Sequence, residues 1–369
     1  MNKKTKNPYL PDYLVTPGEV LNEYLEAFSM TQAELATRTG LTRKTINEII
    51  QGIAPITPET ALKLERIFNR PAHFWNNLES QYQEDYVRIK ERSRLQSALE
   101  WLKRIPVKEM IAHGWMNHFK DDTDQLEAVL RFFGIASPEQ WKEVWETHQV
   151  AYRQTQRFET HDEAVSAWLR QGEIQAQQLE CAPFDKKQFQ KKLQDFRSLT
   201  TMKLEDFHPL LIQQCAAVGV AVVFVPELPK TGISGATRWL GKKAVIQLSL
   251  RYKSNDHLWF TFFHEAGHIL KHGRKGILIE GKGLGGQEEE EANLFSQDLL
   301  IPPDKLNQFL AQWNKRSLEP ISRFADEIGI APGIVVGRLQ HDDVLSTEIG
   351  NLFKIKYSWD KINLGQNPV

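Results

Sequence analysis

Cysteine is nearly absent from this sequence, and long apolar runs are missing altogether. The 369 residues contain two cysteines, Cys181 and Cys215, which lie too far apart for a zinc knuckle and are too few for a disulfide framework. We expect both to be reduced core residues. No apolar run approaches the ~20 residues that a membrane-spanning helix needs, and the N-terminal sequence MNKKTKNPYLPDYL lacks the apolar core of a signal peptide. These absences predict a cytoplasmic protein with no membrane partner.

Net charge is also lacking, because 46 Lys and Arg side chains are balanced by 47 Asp and Glu side chains. Overall neutrality excludes no class of partner, since a DNA-binding protein needs only a local basic face. The length predicts two or three domains, and ten Trp with 19 Phe predict sizeable cores. The function must therefore be sought in local motifs.

The first half of the chain has the apolar spacing of helices. Residues 17–82 show several short helices, most of them started by a capping residue or Pro and ended by Gly. The charged stretch 83–105 keeps helical spacing and predicts a linking helix. Residues 106–205 continue as a helical region rich in Trp and Phe, without a catalytic cluster, which favours a scaffold or a layer that binds a partner.

Near residue 210 the pattern becomes that of strands. GVAVVFVPEL and KAVIQLSL are β-branched runs bounded by Gly and Pro, and RWLGKK between them predicts a tight turn. Helical spacing then returns from about 256 to 340. We predict a mainly α-helical α+β protein with a small sheet. Its predicted parts are residues 1–95 (helical domain with the linking helix), 96–205 (helical middle region), 206–345 (domain with the sheet) and 346–369 (C-terminal tail).

The segment TQAELATRTGLTRKTINEIIQG, residues 31–52, has the features of a helix-turn-helix. Thr31 and Thr42 stand where the two helices need N-caps, and Gly40 stands where the turn needs a left-handed residue. Ala36 is small where the helices would cross closely. A generic helical hairpin with a solvated face is the alternative, but the caps and the basic polar face favour a DNA-reading helix. The residues predicted to contact DNA are Gln32, Thr42, Arg43, Lys44, Thr45 and Asn47.

The segment FFHEAGHILKH, residues 262–272, places polar side chains inside an apolar run. His264 and His268 are four residues apart, so a helix brings both imidazoles to one face, where they can bind one Zn²⁺. Glu265 is adjacent and can reach a water molecule on the metal without ligating it, as in the H-E-x-x-H arrangement of metalloproteases. The alternative is two surface histidines on an amphipathic helix, which the apolar flanking residues argue against.

A third ligand is expected from the acidic segment QEEEEANLFSQDLLIPP. It offers four glutamates, residues 288–291. Glutamate-zincins often take this ligand from a Glu-x-x-Ala-Asp/Asn pattern on a downstream helix. That pattern begins here at Glu289 and ends at Asn293, with Glu288 as the nearest rival ligand. The other glutamates are expected on a solvated face.

Two further features are weaker. His272, His257 and Arg238 are each able to stabilise an oxyanion, although a lone polar residue more often has a structural role. ISRFADEIGIAPGIVVGRLQ, residues 321–340, repeats the spacing of Ala and Gly found in the helix-turn-helix segment. Its second helix is apolar and begins without Arg, Lys or Asn, so packing or substrate docking is favoured over a second DNA reader.

Residues 16–82 closely resemble the HigA-type antitoxin branch of the Xre family of lambda-repressor-like proteins. The resemblance rests on TQAELA, INEIIQG, ITPETALKLER and FWNNL. It implies a domain that binds operator DNA as a homodimer and represses its own operon, often one that encodes a toxin. Operator DNA and a cognate toxin are therefore the partners that this resemblance implies.

Residues of about 210–310 resemble the ImmA/IrrE family of metallo-endopeptidases. The matching stretches are ISGATRWL, AVIQLSLRYKSNDHLWFTFFHEAGHILKHG and EEEEANLFSQDLLIPP. The resemblance implies that His264, His268 and Glu289 bind zinc and that Glu265 is the general base. It also implies a protein substrate, often a helix-turn-helix repressor encoded nearby.

Two functions follow from these motifs. The first is a DNA-bound regulator with a zinc-dependent endopeptidase domain that cleaves a protein such as a repressor. The second is a HigA-type antitoxin and autorepressor whose zincin-like domain is structural or docks a protein. The chain departs from the endopeptidase family at Ser296-Gln297, where small apolar residues are usual. That departure concerns packing rather than ligation.

Overall fold

The structure, a computed structural model, describes residues 14–153, 162–273, 278–281 and 286–362. The chain divides into two compact units, residues 1–99 and 100–369. The predicted fold class is confirmed, since helices dominate both units and the second unit also contains a small mixed sheet. The first 13 residues, on which the expected absence of a signal peptide rests, lie outside the described part.

The first unit is helical, and several of its helices begin at threonine caps. Thr16, Thr31, Thr42 and Thr57 each accept a hydrogen bond from a backbone N–H in the first turn of the helix that follows. The helices are α1 (Pro17–Ala27), α2 (Gln32–Thr39), α3 (Arg43–Ile50), α4 (Pro58–Phe68) and α5 (Ala72–Gln96). Its buried core includes Leu21, Leu35, Ile46, Leu64 and Trp75.

Helix α5 is one continuous helix of 25 residues, whereas the sequence predicted short helices up to residue 82 and a separate linking helix over 83–105. No Gly or Pro interrupts it, and side-chain pairs such as Arg88 with Glu84, at 2.6 Å, support its exposed part. It ends before Ser97, and a short helix α6 (Leu99–Leu102) follows. The predicted linking helix is therefore broken at residues 97–98.

The second unit is built on a four-stranded sheet. Before the sheet the chain forms α7 (Val107–Ala112), α8 (Asp122–Phe133), α9 (Pro138–Arg153), α10 (Asp162–Gln178), α11 (Lys186–Phe196) and α12 (Leu204–Ala216). The strands are β1 (Val220–Phe224), β2 (Ile233–Leu240), β3 (Lys243–Leu248) and β4 (Leu278–Gly281). Their order is β1-β3-β2-β4, with β1 parallel to β3 and the other neighbouring strands antiparallel. The helices that follow β3 are α13 (Asn255–Lys271), α14 (Gln287–Leu300), α15 (Pro303–Gln312), α16 (Glu319–Ile328) and α17 (Pro332–His341).

The two predicted strands are confirmed as β1 and β3, but β2 was missed, and so was β4, which lies within the region predicted to be helical. RWLGKK is not a turn throughout, because Arg238 to Leu240 are the last residues of β2. Only Gly241 and Lys242 turn the chain into β3, and Gly241 has the positive φ of 59° that a two-residue hairpin turn favours. Gly235 interrupts the apolar pattern of β2, which weakened its strand signal.

Apolar layers cover both faces of the sheet. Val222 on β1 and Ile246 on β3 belong to a core that includes residues of α11 to α17. Their strand neighbours Val223 and Val245 belong to a second core, which contains Trp168 of α10 and other residues of α8 to α10. Burial on both faces explains why β1 reads as a continuous apolar run. The Trp-rich helical region predicted as a scaffold therefore forms one layer of the unit that contains the sheet.

Helix α17 and the C-terminal residues pack around the start of α13. Gly333 and Gly337 of α17 lie so close to α13 that an added Cβ would be 2.7 Å from Asn255 Oδ1 and 2.8 Å from Asp256 Cβ, respectively. The Asn255 amide N–H donates to the carbonyl of Ile355, within the segment predicted as a tail, at 2.9 Å. The buried residues of α17 include Ile334, Val335, Val336 and Leu339, which agrees with the packing interpretation of residues 321–340.

Candidate metal centre and DNA-reading helix

Helix α13 places His264 and His268 one turn apart on a buried face. Each side chain is 1% exposed, and their Nε2 atoms lie 2.9 Å apart. The helix is buried along most of its length because it lies between the sheet and helices α14 and α17. Burial of two imidazoles in such surroundings is costly unless their polar atoms are satisfied.

Helix α14 brings Glu289 to the same two nitrogen atoms. Its Oε2 lies 3.2 Å from Nε2 of His264, and its Oε1 lies 3.2 Å from Nε2 of His268. Within the described residues, His264, His268 and Glu289 form the group of acidic and histidine side chains whose donor atoms are close enough to hold one metal ion. Glu288, the rival ligand, is not in this group. The geometry thus brings together the three predicted ligands, while zinc binding itself stays a prediction.

The donor set fits a zinc ion in both spacing and charge. Donors bound tetrahedrally at ~2.0–2.1 Å from Zn²⁺ stand about 3.3 Å apart, close to the 2.9, 3.2 and 3.2 Å found here. Burial lowers the pKa of His268. Burial alone would raise the pKa of Glu289, but hydrogen bonds with His264 and His268 outweigh it and hold that pKa at about 2. Neutral imidazole and ionised carboxylate are the forms that bind metal.

Close packing holds α14 against α13. A Cβ added to Gly267 would lie 3.3 Å from Cα of Ala292 and 3.0 Å from the ring of Phe295, so glycine permits this approach. The hydroxyl of Ser296 donates to the carbonyl of Phe260 at 2.9 Å across the two helices. The Ser296 side chain therefore adds a hydrogen bond between the two helices that carry the candidate ligands.

Strand β2 holds the carboxylate of Glu265. Glu265 is fully buried, and the hydroxyl of Thr237 donates to its Oε2. A Cβ on Gly235 would lie 2.7 Å from Glu265 Oε1, so the absence of a side chain there leaves room for the carboxylate. Neither residue was singled out from the sequence. A glycine inside a strand indicates close approach of another group, so a prediction of β2 would have pointed to Gly235.

The three weaker oxyanion candidates lie in different places. His272 is behind the metal centre, with its Nδ1 2.9 Å from Nδ1 of His268. Arg238 pairs with Glu173 of α10 at 3.4 Å. His257 stacks on Tyr252, with ring centroids 4.1 Å apart, and lines a cavity beside the ligands. His257 is therefore the one of the three that lines this cavity.

That cavity, of about 420 Å³, opens beside His264 and Glu289. Its walls combine apolar side chains from α13, α14 and α17 with many polar and charged side chains. Sequence reasoning missed most of these residues, because they come from distant segments and carry no common motif. The lining includes Arg251, Tyr252, Phe260, Asn293, Gln297, Leu300, Ile301, Ile334 and Arg338.

In the first unit, α2 and α3 form the predicted helix-turn-helix. Gly40 ends α2 with φ 70°, and Thr42 begins α3 by accepting a hydrogen bond from the N–H of Thr45 at 3.0 Å. Leu35 of α2 and Ile46 of α3 are fully buried. Of the predicted DNA contacts, Thr42, Arg43 and Lys44 are exposed, and Gln32, Thr45 and Asn47 are partly exposed.

Two cations therefore stand at the exposed start of α3. Lys44 extends into solvent with its Nζ 3.7 Å from a carboxylate oxygen of Glu48, a contact too long and too exposed to hold it firmly. The arrangement can present both cations and a short polar helix face to a duplex.

In the part of the chain that the structure describes, every helix is too short or too polar to span a membrane.

Two family models match this chain. Residues 21–75 match the helix-turn-helix model, and residues 215–340 match the IrrE N-terminal-like domain. The first match covers α2 and α3, and the second covers the sheet, α13 and α14. Each match thus contains one of the two sites described above.

Curated relatives include the HTH-type transcriptional regulator YbaQ of Escherichia coli K12, 29% identical over 28% of this chain and 92% of that protein. An HTH-type transcriptional regulator of Haemophilus influenzae is 32% identical over 23% of this chain and 79% of that protein. Similar solved structures include the Pseudomonas aeruginosa antitoxin HigA with the higBA promoter, 29% identical over 23% of this chain and 94% of that chain, with a TM-score of 0.22. Another is PA4674 of Pseudomonas aeruginosa in complex with its operator DNA, 33% identical over 20% of this chain and 82% of that chain, with a TM-score of 0.20. The chain therefore belongs to the HTH-type transcriptional regulators and carries, in its second unit, a domain of the IrrE N-terminal-like family.

Proposed function

We propose that this regulator binds operator DNA through α3 and cleaves a protein partner, such as a repressor, with a zinc-dependent endopeptidase centre in its second unit. The observation that carries the proposal is the buried group of His264, His268 and Glu289 beside a cavity, with Glu265 next to it in the same helix. A structural metal site would have no need of an adjoining cavity or of a buried carboxylate outside the ligand set.

Operator binding rests on α3. Its exposed start carries Arg43 and Lys44, which suit phosphate oxygens, and Asn47 lies one turn further along, where an amide can read an adenine edge. Two of the similar solved structures are an antitoxin HigA with the higBA promoter and PA4674 with its operator DNA. We propose a homodimer, because two copies of a helix-turn-helix reading two half-sites match the symmetry of most operators.

In the proposed reaction, His264, His268 and Glu289 would hold the metal ion. Zinc, when bound, polarises the scissile carbonyl and makes water a better nucleophile near neutral pH. The carboxylate of Glu265 accepts a proton from the attacking water and delivers it to the amine that leaves when the C–N bond breaks. The hydroxyl of Thr237 keeps that carboxylate in one orientation.

The cavity beside the ligands is the proposed site for a substrate side chain. Phe260, Leu300, Ile301 and Ile334 make much of its lining apolar. Burial of an apolar side chain there contributes about 1.5–3 kcal/mol, enough to orient a peptide at the metal. We therefore propose that cleavage occurs beside a large apolar residue.

A second function has its own support. Antitoxins are among the proteins that resemble the first unit. In this alternative the chain is a HigA-type antitoxin and autorepressor, and the second unit docks a protein, such as a cognate toxin, without cleaving it.

Cleavage assays on proteins encoded beside this gene distinguish the two functions. Each candidate partner is incubated with the full-length protein, with and without zinc chelator, and intact masses are measured. A chelator-sensitive cleavage that Glu265→Gln abolishes supports the endopeptidase. A partner that binds the zinc-loaded protein stably and stays intact supports the antitoxin.

A further inference from the structure

The two ligand histidines have different partners behind them. Nδ1 of His264 lies 2.9 Å from the side-chain oxygen of Asn293. Nδ1 of His268 instead lies 2.9 Å from Nδ1 of His272, and Nε2 of His272 lies 3.3 Å from Oε2 of Glu291. Two further side chains, His272 and then Glu291, thus continue outward from His268, whereas Nδ1 of His264 faces an amide oxygen.

The position of each hydrogen follows from the donor and acceptor chemistry. An imidazole that binds metal through Nε2 must carry its hydrogen on Nδ1. His268 Nδ1–H therefore needs an acceptor, and Nδ1 of His272 can accept only when the hydrogen of His272 is on Nε2. The carboxylate of Glu291 only accepts hydrogen bonds and favours that tautomer. Every donor between His268, His272 and Glu291 then has an acceptor.

We infer that His272 is a positioning residue, which fixes the tautomer and orientation of the ligand His268 and links it to the negative charge of Glu291. This inference rests on the zinc site of the proposed function. The His272 side chain is 5% exposed, so water does not readily replace it, whereas that of Glu291 is 39% exposed. Partners of this kind typically contribute 10- to 100-fold to metal affinity.

Substitutions at position 272 separate the hydrogen bond from the linked charge. His272→Leu removes the acceptor. His272→Asn keeps an acceptor oxygen near the place of Nδ1 but has no atom that reaches Glu291. Zinc affinity of the full-length protein, measured by competition with a chromophoric chelator, should fall in the order wild type, Asn, Leu, with a total loss of about 10- to 100-fold. The visible spectrum of the Co²⁺-loaded protein should change in the same order.

A double-mutant cycle tests the link to Glu291. Glu291→Ala should weaken zinc binding about tenfold in the wild type and have no effect in the His272→Asn background. Glu290→Ala is the matched control, because it removes the same charge from the adjacent exposed position of α14 and should leave affinity unchanged in both backgrounds.

Three outcomes decide the inference. Graded loss at position 272 together with the background-dependent effect of Glu291→Ala supports it. Unchanged affinity in His272→Leu with a native circular dichroism spectrum, or an equal effect of Glu291→Ala in both backgrounds, overturns it while leaving the zinc site intact. A wild-type protein that binds no zinc overturns the proposed endopeptidase function itself.

Discussion

The hydroxyl of Thr237 on β2 donates a hydrogen bond to the buried carboxylate of Glu265 on α13. It also lies 3.3 Å from the backbone carbonyl oxygen of Glu265, so the Thr237 hydroxyl contacts both the carboxylate and the backbone carbonyl of this residue. The side chain of the proposed general base is therefore held by a residue of the sheet, although its backbone belongs to α13.

Thr237→Val should slow cleavage without removing the metal. Valine keeps the shape of threonine but cannot donate, and a hydrogen bond to a charged group contributes about 1.5–3 kcal/mol. We expect kcat to fall roughly tenfold or more, with zinc content unchanged by elemental analysis. Thr237→Ser retains the donor and should stay near wild type. Equal loss in both variants would mean that shape, not the hydrogen bond, is what matters.

Glu265→Gln should keep the metal and abolish cleavage. Glu265 is outside the ligand group, so its neutralisation removes the proton acceptor but no bond to the metal. His264→Ala should instead remove the metal. Both variants are measured by elemental analysis of protein made without a histidine tag. Loss of zinc from Glu265→Gln would show that the role assigned to this residue is wrong.

The parts of the candidate metal centre that could be predicted from the sequence are those whose residues lie close together in the chain. The spacing of His264 and His268 and the pattern that begins at Glu289 are local, so both ligand helices were predicted with their side chains. Thr237 and Gly235 lie on a strand whose own signal was weak, and nothing in sequence relates that strand to Glu265. The place of His272 behind His268 depends on side-chain rotamers, which spacing alone does not determine.

Substitutions on α3 should separate residues that set the affinity for DNA from a residue that sets sequence preference. Arg43→Ala and Lys44→Ala should each weaken binding to the protein's own promoter and reduce the salt slope by about one, as expected for a lost phosphate contact. Asn47→Ala should chiefly alter sequence preference. Lys63→Ala on α4 removes the same charge outside the helix-turn-helix and serves as the control. Fluorescence anisotropy across a salt series measures all four, and unchanged affinity in the α3 variants would mean that this face is only solvated.

Burial of His208 should make the second unit less stable as the pH falls. Burial lowers the pKa of His208 from its usual 6.5 to about 4, and its ring packs against Phe224 at 4.7 Å. Below pH 6.5 the unfolded chain binds a proton at this residue that the folded chain does not, so stability is lost between pH 6.5 and about 4. From pH 7 to pH 5 the loss should be about 2 kcal/mol.

Comparison with His208→Phe isolates that contribution, because the other histidines are common to both proteins. Urea unfolding at pH 7 and pH 5 should show a smaller drop for the variant than for the wild type. An identical drop in the two proteins would mean that the folded state protonates His208 as readily as the unfolded chain does.

Residues 100–205 should be needed for the second unit to fold. Val223 and Val245 lie on the sheet face that α8 to α10 cover, and the Nε1–H of Trp168 donates to the carbonyl of Val225 at 3.1 Å. Exposing several such side chains costs about 1.5–3 kcal/mol each, a total comparable with the 5–15 kcal/mol that stabilises a typical domain. Residues 1–99, which have their own core, should fold alone and bind the operator.

A fragment of residues 100–369 should therefore melt cooperatively and bind zinc, whereas a fragment of 206–369 should be unfolded by circular dichroism. A 206–369 fragment that unfolds cooperatively and binds zinc would mean that α8 to α10 are not needed for folding. The candidate metal centre would then require apolar packing on only one face of the sheet.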